Sequence, residues 1–463
     1  MQIYHFFLNK TNISSFFCVF SCFSWKIHKK AVSLQTEMKN RLQKIVRSEL
    51  VVNSAKLLSA NVIAQGIGLI VYPILTRIYS PEDFGLLNLF LSIGGVLVLL
   101  STAEYQYAIV LPKEEEKAIA CFHVGFFFLL VTTLLCFISA LFSTQIAQLF
   151  NTPVLADYYP LMCIFVFGSG LWVLLNYWYT RKEQFGKISA YQLTQSSTTA
   201  GLKYIFQKAG LSGGGLIFAS ISGLFIALIT ISARHFKRDI VPLFKVNRKA
   251  CRVAAQQYAN FPLFSLPKSI INSISCNLPV LLLTPIFGLT EIGYFGMALT
   301  LSFAPISLIN KSLYQVLYQR TATHVHQGKT IKSFFHRFIW GILPVSLFCF
   351  SVLYFILPQI TQWLLGDNWF VTGEYIRLLL PWLLLSVVVV PLGPLTDIFM
   401  KQKWWLYFEI TMIVLRLIAI GLGIYLHNIT AAIIGYSIAS AVGLAIQLPW
   451  YLRLINDYEK QIA

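Results

Sequence analysis

The amino-acid sequence predicts an all-α polytopic membrane protein with about twelve transmembrane helices in two parallel six-helix lobes. Three observations lead to this fold class. The composition is strongly apolar, apolar stretches of membrane-spanning length recur along the chain, and a short motif occurs twice at an offset of 208 residues. Together they indicate a membrane protein whose two halves are repeats of each other.

The composition indicates an integral membrane protein. Of the 463 residues, 57% are hydrophobic and 12% are charged, and the mean hydropathy is +0.68. A soluble domain typically carries about 25% charged residues. A water-soluble chain of this length would expose far more polar surface, so we expect the lipid bilayer to be its surroundings.

The formal net charge of +18 raises the possibility of a nucleic-acid partner. Basic residues that follow the positive-inside rule give the same excess in a membrane protein, and the loops described below follow that rule. The sequence contains no zinc-finger, RNP or helix-turn-helix spacing. We therefore expect no nucleic-acid partner.

The eight cysteines form no CxxC pair, and most lie inside apolar stretches. This pattern is typical of small buried side chains and not of disulfides or metal ligands. We expect no metal site and no cofactor.

Twelve apolar stretches approach or exceed the roughly 20 residues that a helix needs to cross a bilayer. They are residues 57–79, 85–109, 118–142, 158–179, 188–207, 215–233, 262–286, 293–318, 333–358, 375–399, 404–426 and 430–453. The fifth is the most polar, because glutamine, serine and threonine side chains crowd it.

The loops between these stretches alternate in charge. One set carries seventeen lysines and arginines, seven of them in the long loop that follows the sixth span, whereas the other set carries Lys208 alone. The positive-inside rule makes the first set cytoplasmic and, with twelve spans, places both termini there as well.

Charge and repeat together divide the chain into five segments. They are a basic cytoplasmic segment 1–56, an N-terminal lobe 57–233, a basic cytoplasmic linker 234–260, a C-terminal lobe 261–453 and a cytoplasmic tail 454–463. The apolar run at residues 16–25 is too short to span a bilayer. The basic amphipathic sequence that begins at Met38 predicts translation from that residue, with 1–37 as a non-native extension.

The repeated motif reads LTRIYSPEDFG at residues 75–85 and LTPIFGLTEIG at residues 283–293. Each copy lies between two apolar stretches, on the outer side. Six spans separate the copies, so the two halves have the same orientation and are related by an axis along the membrane normal, as in parallel-repeat transporters. Its glycine, proline and helix-starting residues indicate turn and packing chemistry.

Ionisable groups inside a span are costly and usually serve a cavity or a partner. Arg416 is the strongest candidate, because it lies about 18 Å into the eleventh span at 1.5 Å per residue. The alternative is an internal ion pair with a carboxylate such as Asp397 or Glu409. Further basic candidates are Lys203, Lys268, Lys311 and Arg377.

Three of the basic candidates have an alternative explanation. Lys268, Lys311 and Arg377 lie near helix ends and are long enough to reach the headgroups. Polar side chains at helical spacing extend two candidate faces, with Asn272 beside Lys268 on the seventh span, and Asn61 and Gln65 on the first. The excess of cations over Glu104, Asp397 and Glu409 favours an anionic ligand.

The sequence argues against an enzyme. It contains no GxxxxGK[ST] loop, HExxH or GxSxG motif, and the loops are too short to hold an extramembrane active site. The longest outer loops carry no lysine or arginine. We expect a transporter that does not hydrolyse ATP itself.

Three segments of the N-terminal half resemble bacterial polysaccharide-biosynthesis flippases. They are SANVIAQ at residues 59–65, PILTRIYSPEDFG at 73–85 and YAIVLPK at 107–113. These flippases belong to the superfamily that also contains the multidrug and toxin extrusion transporters. The resemblance is strong over residues 55–120 and mainly topological beyond them.

This resemblance implies two six-helix lobes around a central cavity, in the bacterial cytoplasmic (inner) membrane. It implies translocation of undecaprenyl-pyrophosphate-linked oligosaccharide units by alternating access, for O-antigen, capsule or exopolysaccharide, with a polysaccharide polymerase as a further expected partner. Cations in the cavity are expected to meet the pyrophosphate or acidic sugars. The alternatives are a cation-coupled drug or metabolite exporter of the same superfamily, and a membrane polymerase or ligase.

Overall fold

The computed structural model describes residues 49–211, 213–234, 241–244, 247–399 and 401–462. The expected start at Met38 and most of the expected N-terminal segment lie outside these residues. The chain divides into two compact units, Met1–Ser59 and Ala60–Ala463. Of the first unit, only the beginning of a helix is described, and the features below belong to the second.

The described residues form helices joined by short turns and contain no β-strand. The N-terminal half contributes α1 Glu49–Leu75, α2 Pro81–Thr102, α3 Glu115–Ala140, α4 Ser143–Leu149, α5 Leu155–Tyr158, α6 Leu161–Arg181, α7 Phe185–Lys208 and α8 Gly213–Arg234. The linker contains α9 Arg248–Gln257. The C-terminal half contributes α10 Leu266–His326, α11 Lys332–Leu365, α12 Phe370–Val389, α13 Pro394–Ile398, α14 Gln402–Tyr425 and α15 Ile429–Ile462.

Nine helical segments within the described ranges are long and apolar enough to cross a membrane. One of them, Phe261–Val325, holds both the seventh and the eighth predicted spans. The first span appears as the shorter apolar helix Val62–Leu75, and the polar fifth span forms α7 without reaching that apolarity. The all-α membrane fold is confirmed, while the count of twelve spans stays a prediction.

Helix α10 is broken at Gly288. Its 61 residues would span about 92 Å at 1.5 Å per residue, about three times the hydrocarbon thickness, and Gly288 has a φ of +82° that glycine adopts without strain. The break separates a first arm, 266–287, from a second arm, 289–326. Ser80 occupies the matching position of the first motif, where it caps α2 by accepting a hydrogen bond from the Asp83 amide at 3.2 Å.

The second span ends earlier than predicted. The apolar sequence suggested a helix to residue 109, but α2 ends at Thr102 because Ala103 and Glu104 both adopt left-handed backbone angles. A short 3₁₀ helix, Tyr105–Ile109, follows. The segment after the helix contains Glu104 and Gln106 and is more polar than α2, so the predicted span wrongly joined two apolar runs across a polar interruption.

The two halves of the chain meet chiefly along α2 and the second arm of α10. The motif glycines allow this approach. A Cβ atom on Gly85 would overlap the carbonyl oxygen of Leu289, and a Cβ atom on Gly293 would overlap that of Pro81. At the 208-residue offset, Gly85 corresponds to Gly293 and Pro81 corresponds to Leu289. Each contact is therefore the counterpart of the other, as a twofold axis requires.

A third contact lies on this axis. A Cβ atom on Gly296 would overlap the side chain of Asn88, and these two residues are themselves partners at the 208-residue offset. On both helices this contact lies C-terminal to the crossing at residues 81–85 and 289–293, so α2 and the second arm run parallel. The motif therefore marks a crossing of equivalent helices with the same orientation.

Trp369, which precedes α12, packs beside the crossing of α2 and the second arm of α10. Its indole nitrogen donates to the Thr76 carbonyl oxygen at 2.9 Å, and the Thr76 hydroxyl donates to the Leu365 carbonyl oxygen at 2.9 Å. The ring packs edge-on against Phe84 of α2 and Tyr294 of the second arm. Residues of both halves thus form one buried cluster beside the glycine crossing.

The six described cysteines are free thiols. Cys121, Cys136 and Cys163 are buried as expected, but Cys276 and Cys349 are exposed on α10 and α11. Exposure on a spanning helix means contact with lipid or with a cavity, so the expectation of burial was wrong for these two.

Candidate functional site

Arg416 lies within the C-terminal half, on α14, with only 6% of its surface exposed. Its guanidinium group joins three helices. The Nε atom donates to the hydroxyl of Ser440 on α15 at 2.9 Å, and Nη1 donates to the hydroxyl of Ser275 on the first arm of α10 at 2.9 Å.

Two aromatic rings complete the surroundings of Arg416. The guanidinium carbon lies 5.6 Å from the Trp382 ring centre of α12 and 5.1 Å from the Tyr436 ring centre of α15. Cation–π contacts of this kind contribute about 2 kcal/mol when they are desolvated. Three neighbouring helices, α10, α12 and α15, therefore stabilise this buried cation with neutral groups.

An internal ion pair, the alternative suggested by the sequence, is not found for Arg416 within the described part of the chain. Asp397 instead accepts a hydrogen bond from the Tyr314 hydroxyl at 2.8 Å. Glu409 lies two turns before Arg416 on α14 and interacts with it electrostatically without an ion pair. The positive charge of Arg416 is therefore stabilised by hydroxyls and aromatic rings, and no carboxylate of the described residues forms an ion pair with it.

The polar face predicted on the seventh span contains one buried member and two more open ones. Ser275 is buried against Arg416, Asn272 is half-buried, and Lys268 is exposed. Lys268 also interacts electrostatically with Glu104 and Glu409. It thus belongs to a cluster of mixed charge, which weakens its attraction for an anionic ligand.

A second polar site lies in the N-terminal half, between α1 and α7. Here a cavity of about 380 Å³, which we call the α1/α7 pocket, is lined by Ala64, Gln65, Gly68, Val71, Tyr72, Leu75, Gln192, Gln195, Ser196, Thr199, Ala200 and Lys203. Two of the sequence candidates, Gln65 and Lys203, meet in this pocket. Its volume is in the range of small-molecule sites.

Hydrogen bonds connect α7 to α1 and to the turn that follows α1, and they hold the walls of the α1/α7 pocket. The Ser196 hydroxyl donates to the Ala64 carbonyl oxygen at 2.8 Å, and the Tyr79 hydroxyl donates to the Lys203 carbonyl oxygen at 2.7 Å. A Cβ atom on Gly223 of α8 would overlap Thr199, so α8 packs closely against α7. The helix that carries Lys203 is thus held by contacts with both α1 and α8.

The remaining candidates lie elsewhere. Arg377 forms an ion pair with Glu374 one turn away and lies 5.2 Å above the Tyr354 ring, so its charge is compensated. Lys311 is exposed on the second arm of α10. The side chain of Asn61 lies outside the described residues.

Three residues around Arg416 were missed by the sequence reasoning: Trp382, Tyr436 and Ser440. None is charged, and aromatic or hydroxyl side chains are common in spanning helices. Their contribution depends on α12 and α15 packing against α14, which no local pattern reveals. The ion pair of Arg377, by contrast, could have been predicted from the i, i+3 spacing between Glu374 and Arg377.

Residues 74–373 match a family model described as "Polysaccharide biosynthesis protein". The succinoglycan biosynthesis transport protein ExoT of Rhizobium meliloti (strain 1021) is 23% identical over 267 residues, which make up 56% of this chain and 51% of ExoT. The chain therefore matches about half the length of this curated relative.

Two solved structures share the fold. An inward-facing multidrug resistance MATE family transporter of the MOP superfamily superposes with a TM-score of 0.66 and 14% identity, over 90% of this chain and 100% of that one. The lipid II flippase MurJ, in an inward closed conformation, superposes with a TM-score of 0.65 and 12% identity, over 89% of this chain and 91% of that one. At these identities the likeness is one of fold, and the predicted multidrug and toxin extrusion-like fold is confirmed.

Proposed function

Because the chain belongs to the polysaccharide biosynthesis protein family, we propose that it is a flippase for undecaprenyl-pyrophosphate-linked oligosaccharide units. It moves them from the cytoplasmic to the periplasmic leaflet of the bacterial inner membrane by alternating access. The single observation that carries this proposal is Arg416, a buried cation that hydroxyls and rings solvate. A pyrophosphate group supplies the negative charge that such a site attracts.

The proposed path of the substrate lies between the two lobes, 57–233 and 261–453. Loop charge supports an orientation in which the basic linker and both termini are cytoplasmic. The crossing of α2 with the second arm of α10 then lies toward the periplasm, and opening of the lobes there would release the oligosaccharide. A polysaccharide polymerase is the proposed next step for the product.

The chemistry of the two sites favours this proposal over a cation-coupled drug exporter. A cationic drug calls for carboxylates in its binding site. The residues that line the α1/α7 pocket include one lysine and no acid, and Arg416 is positive as well. The proposed role involves no covalent step, in contrast to a polymerase or a ligase.

Deletion of the gene is expected to abolish the surface polysaccharide and to cause complete lipid-linked repeat units to accumulate on the cytoplasmic leaflet. The physical reason is that a large polar oligosaccharide cannot cross the hydrocarbon core unaided. Lipid extraction with mass spectrometry, combined with enzymatic labelling of each leaflet, provides the measurement. A strain carrying the wild-type gene on a plasmid is the control.

Two other results of this deletion would reject the flippase. Normal surface polysaccharide with altered drug sensitivity would indicate the exporter. Accumulation of single repeat units on the periplasmic leaflet would indicate the polymerase or ligase.

A further inference from the structure

The α1/α7 pocket carries a positive charge that its walls do not compensate. Lys203 is half-buried there, and within the described ranges no hydrogen bond or ion pair engages its ammonium group. The other polar lining groups are amides and hydroxyls, which carry no net charge. An uncompensated cation in a membrane-embedded pocket is costly unless a ligand supplies the counter-charge.

The α1/α7 pocket extends along α7 and combines one charged side chain with several neutral polar ones. Its α7 wall extends from Gln192 to Lys203, eleven residues or about 16 Å at the rise of a helix. Gln65, Gln192 and Gln195 supply the amides, and Ser196, Thr199 and Tyr72 supply hydroxyls. Amides and hydroxyls both donate and accept hydrogen bonds, as the hydroxyl groups of a sugar do.

The number of cations in the α1/α7 pocket distinguishes between two anionic ligand groups, a pyrophosphate and a sugar carboxylate. A pyrophosphate diester carries two negative charges and usually needs several cations or backbone amides. The α1/α7 pocket offers one lysine, and Arg416 lies in the other half of the chain. One cation among neutral donors matches a single carboxylate on a sugar.

We propose that the α1/α7 pocket binds a glycosyl residue bearing a carboxylate, so that the transported oligosaccharide is acidic. Lys203 pairs with the carboxylate, and the amides and hydroxyls bind the sugar hydroxyls. This assignment rests on the proposed flippase function and adds the substrate class. It also divides the substrate between the halves, with the glycan at the N-terminal half and the pyrophosphate at Arg416.

A pair of disaccharides that differ only in the acid provides the probe. The full chain, purified in lipid nanodiscs, is titrated with cellobiouronic acid and with cellobiose. The acid is expected to bind about tenfold tighter, since one charge-assisted contact contributes at least about the 1.4 kcal/mol that this ratio represents. Equal binding of the two disaccharides would overturn the proposal.

Variants of two lysines on α7 locate the effect. Lys203→Met is expected to remove the preference for the acid, and Lys203→Arg to retain most of it. Lys208→Met is the matched control, because Lys208 is exposed near the end of the same helix and does not line the pocket. Removing Lys203 leaves no carboxylate unpaired, so we expect Lys203→Met to fold.

The remaining outcomes are equally decisive. Retention of the preference in Lys203→Met would overturn the assignment of the pocket. Inorganic pyrophosphate that binds in a Lys203-dependent manner, without a preference for cellobiouronic acid, would assign the pocket to the lipid headgroup instead. That result would overturn the proposed pocket ligand but would be compatible with the proposed flippase function. Normal polysaccharide in the deletion strain would instead reject the flippase function, and the measured disaccharide preference would still stand.

Discussion

Replacing Arg416 with methionine is expected to lower surface polysaccharide about tenfold or more, because a hydrogen bond from a charged group contributes about 1.5–3 kcal/mol. The amount of protein in the membrane is expected to change little. Methionine fills a similar space, no carboxylate of the described residues forms an ion pair with Arg416, and Glu409 keeps its interaction with Lys268. Ser275 and Ser440 can then donate to carbonyl groups of their own helices.

Two further variants distinguish binding from packing. Arg416→Lys retains the charge, but one ammonium group cannot reproduce the planar fork that reaches both hydroxyls, so an intermediate level is expected. Arg453→Met is the control, since Arg453 is exposed on α15 of the same half. The measurements are surface polysaccharide by immunoblot, membrane protein level and thermal unfolding in detergent.

Full polysaccharide production by Arg416→Met would show that this cation does not contact the substrate. A fall in membrane level or in unfolding temperature that parallels the loss of polysaccharide would assign Arg416 to packing. Both results would remove the observation that carries the proposed function.

The helices could be predicted from the sequence because the bilayer imposes one length and one polarity on every span. The break of α10 at Gly288 lies between the seventh and eighth predicted spans. The end of α2 at Thr102 was missed, because the predicted span continued across a short polar interruption at which Ala103 and Glu104 adopt left-handed backbone angles.

Only part of the candidate site could be predicted from the sequence. Depth along a span identified Arg416, and helical spacing identified Gln65 as part of a polar face. Only the structure shows that Gln65 and Lys203 line the same pocket. The sequence could not show that Arg416 is held by hydroxyls and rings from other helices, since those contacts depend on how α10, α12 and α15 pack. For Arg377 it considered a cavity ligand or the lipid headgroups, and it did not consider the ion pair with Glu374 one turn away.

Substituting alanine for Gly85 or for Gly293 is expected to destabilise the protein and to reduce transport. A Cβ atom at Gly85 or Gly293 would overlap a backbone carbonyl of the facing helix, and backbone cannot move aside as a flexible side chain does. Overpacking of this kind costs about 1–3 kcal/mol. Alanine otherwise favours a helix over glycine by about 1 kcal/mol, so a loss of stability would come from the crossing itself.

Symmetry makes this prediction sharper, because the two contacts exchange across the twofold axis. Gly85→Ala and Gly293→Ala are therefore expected to lower the unfolding temperature and the surface polysaccharide by similar amounts. Gly95→Ala is the control on α2, since nothing lies near a Cβ atom at that position and the change should be neutral or stabilising. Wild-type behaviour of both motif variants would mean that α2 and α10 do not cross at these glycines.

The two motif substitutions also test whether the crossing moves during transport. If α2 and the second arm of α10 stay in contact in every state, the variants lose stability and activity together. If the helices separate as the lobes open, added bulk weakens only the closed state, and the balance shifts toward the open one. Accessibility of a cysteine placed at Asn88, labelled from the periplasmic side in the Gly293→Ala background, would then rise relative to the Gly95→Ala control. Unchanged labelling with lost stability would identify the crossing as a fixed axis of the fold.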